Sequence, residues 1–175
     1  MADYPAHLAR ERRLADGRAV TIRPIRAEDE AAEREFFGAL SDESRHARFM
    51  KFVHSLNEKL VHFFTHIDYR DHMAFVCEAD IDGRKRLVGE ARYVANAGGE
   101  SCEFGVVVAD EWRKSGIAGL LMQALIAAAR ERGLRSMEGI VLRDNPAMLK
   151  FVRALGFEVH SEQADWTLVR VIKRL

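Results

Sequence analysis

The stretch from Val106 to Arg132 constrains this chain more than any other. Val106-Val107-Val108 is a short apolar run of β-branched residues, the pattern of a buried strand. A polar turn follows, then Arg113-Lys114-Ser115-Gly116-Ile117-Ala118, a basic loop of mostly small residues that leads directly into an amphipathic run. Apolar residues at Ile117, Leu120, Leu121, Ala124, Leu125, Ala128 and Ala129 keep the i, i+3, i+4, i+7 rhythm of one buried helix face. Gly133 supplies a C′ stop. Strand, glycine-containing turn and helix N-terminus together make an anion site, because first-turn N–H groups lack partners and the macrodipole favours negative charge there. Arg113 and Lys114 add formal positive charge at the same place. The natural occupant carries a phosphate or pyrophosphate; the plainer alternative is a βα turn whose glycine only permits tight packing.

Composition narrows the class. The 175 residues suit a single domain with a substantial core. Lys plus Arg and Asp plus Glu balance at 27 each, so the formal net charge is zero and nucleic acid is not an expected partner. Cys77 and Cys102 lie far apart, without metal or redox spacing, in apolar strand-like segments, which fits a reduced cytoplasm. No stretch approaches the ~20 apolar residues of a membrane span, and the charged N-terminus does not read as a secretory signal.

In chain order, residues 1–17 read as a tail, loose or carrying an added strand, and 18–175 as the domain. Alternation from Arg18 to Pro24 predicts a strand. Helices follow over Ala27 to Leu40, from Ser41 through Phe49, and from an Asn57 cap along Leu60, Val61, Phe64 and Ile67. Strands are expected at Met73 to Cys77, Leu87 to Val94 and Cys102 to Val108, with hairpin signals at Asp82-Gly83 and Gly98-Gly99. After the central helix come a strand at Gly139 to Leu142 and a helix from Asn145-Pro146 to Leu155, ended by Gly156. Strands at Phe157 to His160 and Trp166 to Ile172 complete the set. The fold class is α/β, a mixed α+β sheet flanked by helices.

The loop pattern Arg-x-x-Gly-x-Ala, with a valine five residues before the arginine, is neither a Walker loop nor Gly-x-Gly-x-x-Gly. It resembles the coenzyme A signature of the GNAT superfamily of N-acetyltransferases. The element order from about Val20 onward resembles that fold, with its central, mostly antiparallel sheet. The closing Asn145-Pro-Ala-Met-Leu-Lys-Phe-Val-Arg-Ala-Leu-Gly156-Phe157 is similar to a second hallmark. Ile25-Arg26 with Ala27-Glu28-Asp29-Glu30, Ser41 to Phe49, and Gly89-Glu-Ala-Arg-Tyr93 look like one subfamily, bacterial protein-lysine acetyltransferases. Members often carry an acyl-CoA-synthetase-like or cyclic-nucleotide-binding domain; neither fits in this chain, so the resemblance implies the catalytic domain alone.

The resemblance implies acetyl-CoA as co-substrate, with Val106 and Val108 offering backbone groups to pantetheine and the loop from Arg113 to Gly119 (Lys114, Ser115, Gly116, Ile117, Ala118 between) wrapping the pyrophosphate. The Val106 N–H would also serve the oxyanion. Asn145 matches a coenzyme contact in the family and equally reads as a plain helix cap. Glu103 is the candidate general base, near where the subfamily places a catalytic Glu; flanking Cys102 and Phe104 suggest a carboxyl pKa raised by desolvation. The alternative is an exposed Glu on a solvent face. Glu90 is the reserve candidate. The family's general-acid tyrosine is missing: the matching position is Val152, and no acid is assigned.

The expected acceptor is a protein lysine, an acyl-CoA synthetase first among candidates; the alternatives are a small amine or a non-catalytic acyl-CoA sensor. Arg45, Arg48 and Lys51 form a basic face, either solvated or beside the acceptor groove. His62 and His66 stand at i, i+4, but no Glu follows the first and no third ligand is identifiable nearby, so no metal is expected. Oligomeric state is not legible.

Overall fold

The computed structural model describes residues 3–49 and 55–175. Five α-helices and eight strands are formed among them, besides three short 3₁₀ turns: β1 (Arg10–Arg13), β2 (Ala19–Pro24), α1 (Glu30–Ala39), α2 (Asp42–Phe49), α3 (Glu58–Thr65), β3 (His72–Ile81), β4 (Arg84–Ala95), β5 (Ser101–Val108), α4 (Ile117–Glu131), β6 (Ser136–Leu142), α5 (Pro146–Ala154), β7 (Glu158–Ser161) and β8 (Leu168–Arg174). The strands make one sheet in the order β1-β2-β3-β4-β5-β6-β8-β7. Every pairing is antiparallel except β5 with β6. No helix among the described residues is long and apolar enough to cross a membrane.

Each element starts and stops for a chemical reason. Asn57 caps α3 by accepting from the Leu60 N–H at 2.9 Å, and Asn145 caps α5 by accepting from Met148 at 3.1 Å, with Pro146 in the first turn. The β3–β4 hairpin turns on Asp82 and Gly83, both at positive φ (55° and 79°), as a type I′ turn requires. In the N-terminal stretch, Arg10–Arg13 adds an edge strand against β2, the second of the two readings of that segment.

The two faces of the sheet are covered differently. On one face α4 buries Ile117, Leu121, Met122, Leu125, Ile126 and Ala129 against β3, β4 and β5. Met122 and Ile126 lie outside the single stripe read from the sequence; the helix sits deep enough to be covered on a wider arc. Cys77 and Cys102 are free thiols in this same core. On the other face, α1 and α3 pack Phe36, Phe37, Val61 and Phe64 over Ile25, Ala74, Val76 and Leu87.

That second core encloses charge. Glu90 and Arg92 of β4 are both buried, and Arg92 donates to both Glu90 oxygens at 2.7 and 2.6 Å. Burial alone would raise the Glu90 pKa, but the Arg92 guanidinium outweighs it and holds the carboxyl at about 2. Glu33 of α1, buried alongside, moves the other way: desolvation first and the Glu90 charge second raise its pKa well above the ordinary range. The two carboxyls are thus pushed in opposite directions, as expected where two acids share a dry space. Arg92 also donates to the Phe64 carbonyl at 3.1 Å and stands 3.0 Å from His72 Nε2. Arginine only donates, so that nitrogen accepts and the imidazole is neutral.

Burial, seconded by the Arg92 charge, lowers the His72 pKa from 6.5 to about 4. The unfolded chain therefore binds a proton at this residue between those pH values and the folded chain does not. The stability that neutral His72 contributes is present above pH 6.5 and is lost as pH falls toward 4, by about 3 kcal/mol at most. Urea unfolding at a series of pH values should show this loss superimposed on carboxylate titration. His72→Gln, which keeps an acceptor for Arg92 but cannot titrate, should flatten that part of the curve.

Candidate active site

The parallel β5–β6 pairing is short. It joins Ser101 to Ser136, Cys102 to Met137 and Glu103 to Glu138, and then the strands diverge. Phe104 wedges the fork: its ring lies over Gly139, where any Cβ would come within 2.6 Å of it, and packs on Phe157 with ring centroids 5.0 Å apart.

Beyond the fork, β5 has a partner on only one side. Hydrogen-bonded positions in the β4–β5 ladder include Asn96–Ser101 and Ala109–Val88. The alternation of such pairs turns the backbone groups of Glu103, Gly105 and Val107 toward β4. Val106 and Val108 turn theirs the other way, into the space that β6 has left. An extended ligand with amide groups can pair there as an added strand would.

That space continues into a groove with a cavity volume of about 1080 Å³. Its walls include the first-choice base and every residue that the resemblance assigns to the coenzyme: Glu103, Val106, Val108, Arg113, Lys114, Ser115, Gly116, Ile117, Ala118, Gly119 and Asn145. At one end lies the α4 N-terminus. Ser115 Oγ donates to the Trp112 carbonyl at 2.5 Å, pinning the turn, and Lys114 and Gly116 take positive φ (59° and 92°). The helix ladder begins with Leu120 N–H to Gly116 O at 3.2 Å; the Ile117 N–H donates to Ser115 Oγ at 3.5 Å, and those of Ala118 and Gly119 have no intrahelical partner. Arg113 is tied back toward α2, donating to Ser44 Oγ and pairing with Asp110 at 3.0 Å. Asp110 in turn accepts from Ser41 and Ser44. This network fastens α2 across the groove from the loop. Asn145 accepts the Met148 N–H on Oδ1 as the α5 cap, and the residue borders the groove.

Glu103 sits where the strands part, exposed to the groove. The expectation that Cys102 and Phe104 desolvate it is corrected: successive strand residues point to opposite faces, and both neighbours lie in the α4-side core. Glu90, the reserve candidate, is buried behind the groove with both oxygens on Arg92 and is not among the lining residues. Val152 is fully buried, and none of the tyrosines borders the groove.

From sequence alone Arg48 fits either solvent or the groove wall. It lines the groove, with its side chain 14% exposed and 3.9 Å from Glu90. Its guanidinium covers Gly105, where a Cβ would lie 2.5 Å from Cζ. Burial lowers its pKa, while Glu90, Glu33 and Glu103 oppose that loss. Arg48 and Ser44, one turn apart on α2, both face inward, and that i, i+4 spacing was the available signal. Arg45 pairs with Asp42 at 2.8 Å, and Lys51 lies outside the described residues. Elsewhere, the fold corrects the statement that the His62–His66 pair lacks a third donor, because Glu30 of α1 stands beside both.

Comparison with known proteins identifies the neighbourhood of this fold. Residues 30–157 match the acetyltransferase (GNAT) family. Acetyltransferase PA5475 of Pseudomonas aeruginosa is 40% identical over 162 residues, covering 93% of this chain and 86% of that one. Acetyltransferase Pat of Mycolicibacterium smegmatis is 30% identical over 138 residues, 77% of this chain but only 40% of that longer protein. The crystal structure of the GNAT domain of S. lividans PAT superposes with a TM-score of 0.89 at 31% identity, covering 99% of this chain and 100% of that domain.

The loop geometry generates a test. Gly116 faces open space, so substitution there does not clash; it strains the positive φ by about 1–2 kcal/mol. Gly116→Asp adds a negative charge where the helix N-terminus awaits an anion. Calorimetry should show coenzyme A affinity reduced at least tenfold, with the circular dichroism spectrum retained.

Proposed function

The chain belongs to the GNAT family of acetyltransferases, and from that premise we propose that its acceptor is a lysine ε-amine on a folded protein, with Glu103 as general base. GNAT acetyltransferases use acetyl-CoA, and the groove suits such a ligand: an anion-binding helix end, an unpaired strand edge and a carboxylate lie along one continuous wall.

The observation that carries the reading is the position of Glu103 at the parting of β5 and β6, on the strand that presents the free Val106 and Val108 backbone groups. In this reading Val106 and Val108 align the pantetheine arm, and the loop from Arg113 to Gly119 holds the pyrophosphate. A lysine has a pKa of about 10.4 and arrives protonated, so the site must remove a proton before or during attack. Glu103 accepts it. Arg48, across Gly105 from the same groove, disfavours a second cation and so favours the neutral amine. The amine nitrogen bonds to the acetyl carbon, the Val106 N–H donates to the oxyanion, and the carbon–sulfur bond breaks with sulfur leaving as thiolate. A preorganised donor of that kind is worth roughly 3 kcal/mol. No tyrosine borders the groove to protonate the thiolate, so solvent supplies that proton.

Two features favour a protein acceptor. One is the similarity to PAT across the whole chain, well beyond the coenzyme loop. The other is the openness of the groove, whose α2 wall carries Glu43, Ser44, Ala47 and Arg48. Docking energy from surface contacts around the target would drive the reacting groups together. An acyl-CoA synthetase is the first protein to try.

Glu103→Gln should lower kcat by about 10²-fold or more with little change in acetyl-CoA affinity, because the pantetheine contacts are backbone ones. Thiol release in a stopped assay, at saturating acetyl-CoA, gives both rates. In competition for acetyl-CoA, an acyl-CoA synthetase should show a kcat/KM at least tenfold above free lysine or polyamines. A small amine that wins by that margin would replace the protein-lysine reading.

A further inference from the structure

Away from the groove, the start of α1 and the end of α3 bring together three side chains that no step of acetyl transfer uses. Glu30 Oε1 stands 3.7 Å from His62 Nδ1 and 3.5 Å from His66 Nδ1. The donor atoms of all three lie within 4.8 Å of one another. The two imidazoles are stacked, centroids 3.8 Å apart and 22° from parallel, and both Nδ1 atoms lie within 3.7 Å of one carboxylate oxygen.

These spacings are long for hydrogen bonds to a carboxylate, which run to about 2.7–2.9 Å when charge-assisted. They are close to what a metal imposes. Nitrogen and oxygen donors about 2.0–2.1 Å from a tetrahedral zinc ion stand about 3.3 Å apart. Contraction of the two carboxylate–imidazole spacings by a few tenths of an ångström, with the two rings turned toward a common point, converts the cluster into such a shell. We propose that Glu30, His62 and His66 form a zinc-binding site, with water in the fourth position.

The surroundings fit this donor set. His62, His66 and Glu30 are 64%, 38% and 42% exposed, so an ion reaches the site from solvent and a water ligand has room. His66 Nδ1 lies 3.0 Å from Thr65 Oγ1, whose hydroxyl donates to the Val61 carbonyl at 2.9 Å. The threonine hydrogen is engaged, so in the metal-free protein the His66 Nδ1 proton points to Thr65. Zinc binding breaks this contact: the His66 ring turns Nδ1 from Thr65 toward the ion and keeps its one proton on Nε2. The ion then clips α1 to α3 on the flank of the buried cluster, since Glu33 lies one turn after Glu30 and the Phe64 carbonyl of α3 accepts from Arg92. It supplies no chemistry to the groove.

The test is titration of the full chain with zinc chloride against a chromophoric chelator, with thermal unfolding in parallel. The wild type should bind one zinc ion per chain and show a midpoint that rises with zinc concentration. His62→Ala, His66→Ala and Glu30→Gln should each weaken binding about tenfold or more, and His160→Ala, a remote histidine, should not. His62 is the most exposed of the three, so its variant reads out binding even if His66→Ala compromises folding. Wild-type zinc affinity and stoichiometry in His62→Ala would overturn the site, as would no saturable binding by the wild type up to about 100 µM zinc.

Discussion

Everything that distinguishes this sheet from an ordinary meander follows from the place where β5 and β6 stop pairing. Three residue pairs hold the strands together, and the Phe104 ring over Gly139 then keeps them apart. A buried strand edge is normally intolerable, because each unpaired N–H and carbonyl is costly away from water. Here the edge faces a groove, where an extended ligand can take the place of the missing strand. The backbone groups of Val106 and Val108, the exposed Glu103 and the open α4 N-terminus all lie on that opening.

Much of this was legible from local rules. The strand–loop–helix unit around Gly116, the caps at Asn57 and Asn145 and the turn at Asp82-Gly83 depend on residues within a few positions of one another. What failed was reasoning from adjacency in a strand. Cys102 and Phe104 flank Glu103 in the chain but face the opposite side of the sheet, so they leave its carboxylate uncovered. What could not be seen was tertiary. Arg48 reads as one charge among several on a polar helix, and only the approach of β5 makes it the cover over Gly105. Glu30 joins His62 and His66 across a distance in sequence that no spacing rule spans.

The two cores divide the work of the molecule. The α4 side is apolar and closely covered, and it fixes where the N-terminal end of α4 points. The opposite side contains Glu33, Glu90, Arg92 and His72, where one proton fewer or more changes the balance of charge. Such clusters give little net stability relative to apolar packing, but breaking one partner away from the others is expensive. Its cost is tolerated on the side of the sheet that also carries α2, and Arg48 links the two by standing between Glu90 and the groove.

The short seam between β5 and β6 also has a mechanical meaning. On one side β1 to β5 form a continuous antiparallel ladder, and on the other β6, β8 and β7 form a second. The two are sewn together by a few stitches and by the crossover through α4. Opening that seam exposes far less surface than unfolding either ladder, so hydrogen exchange at its amides reports a local breathing mode. A ligand lodged in the fork and touching both strands stiffens that mode. Occupancy and the rigidity of the whole sheet are therefore two readings of one quantity.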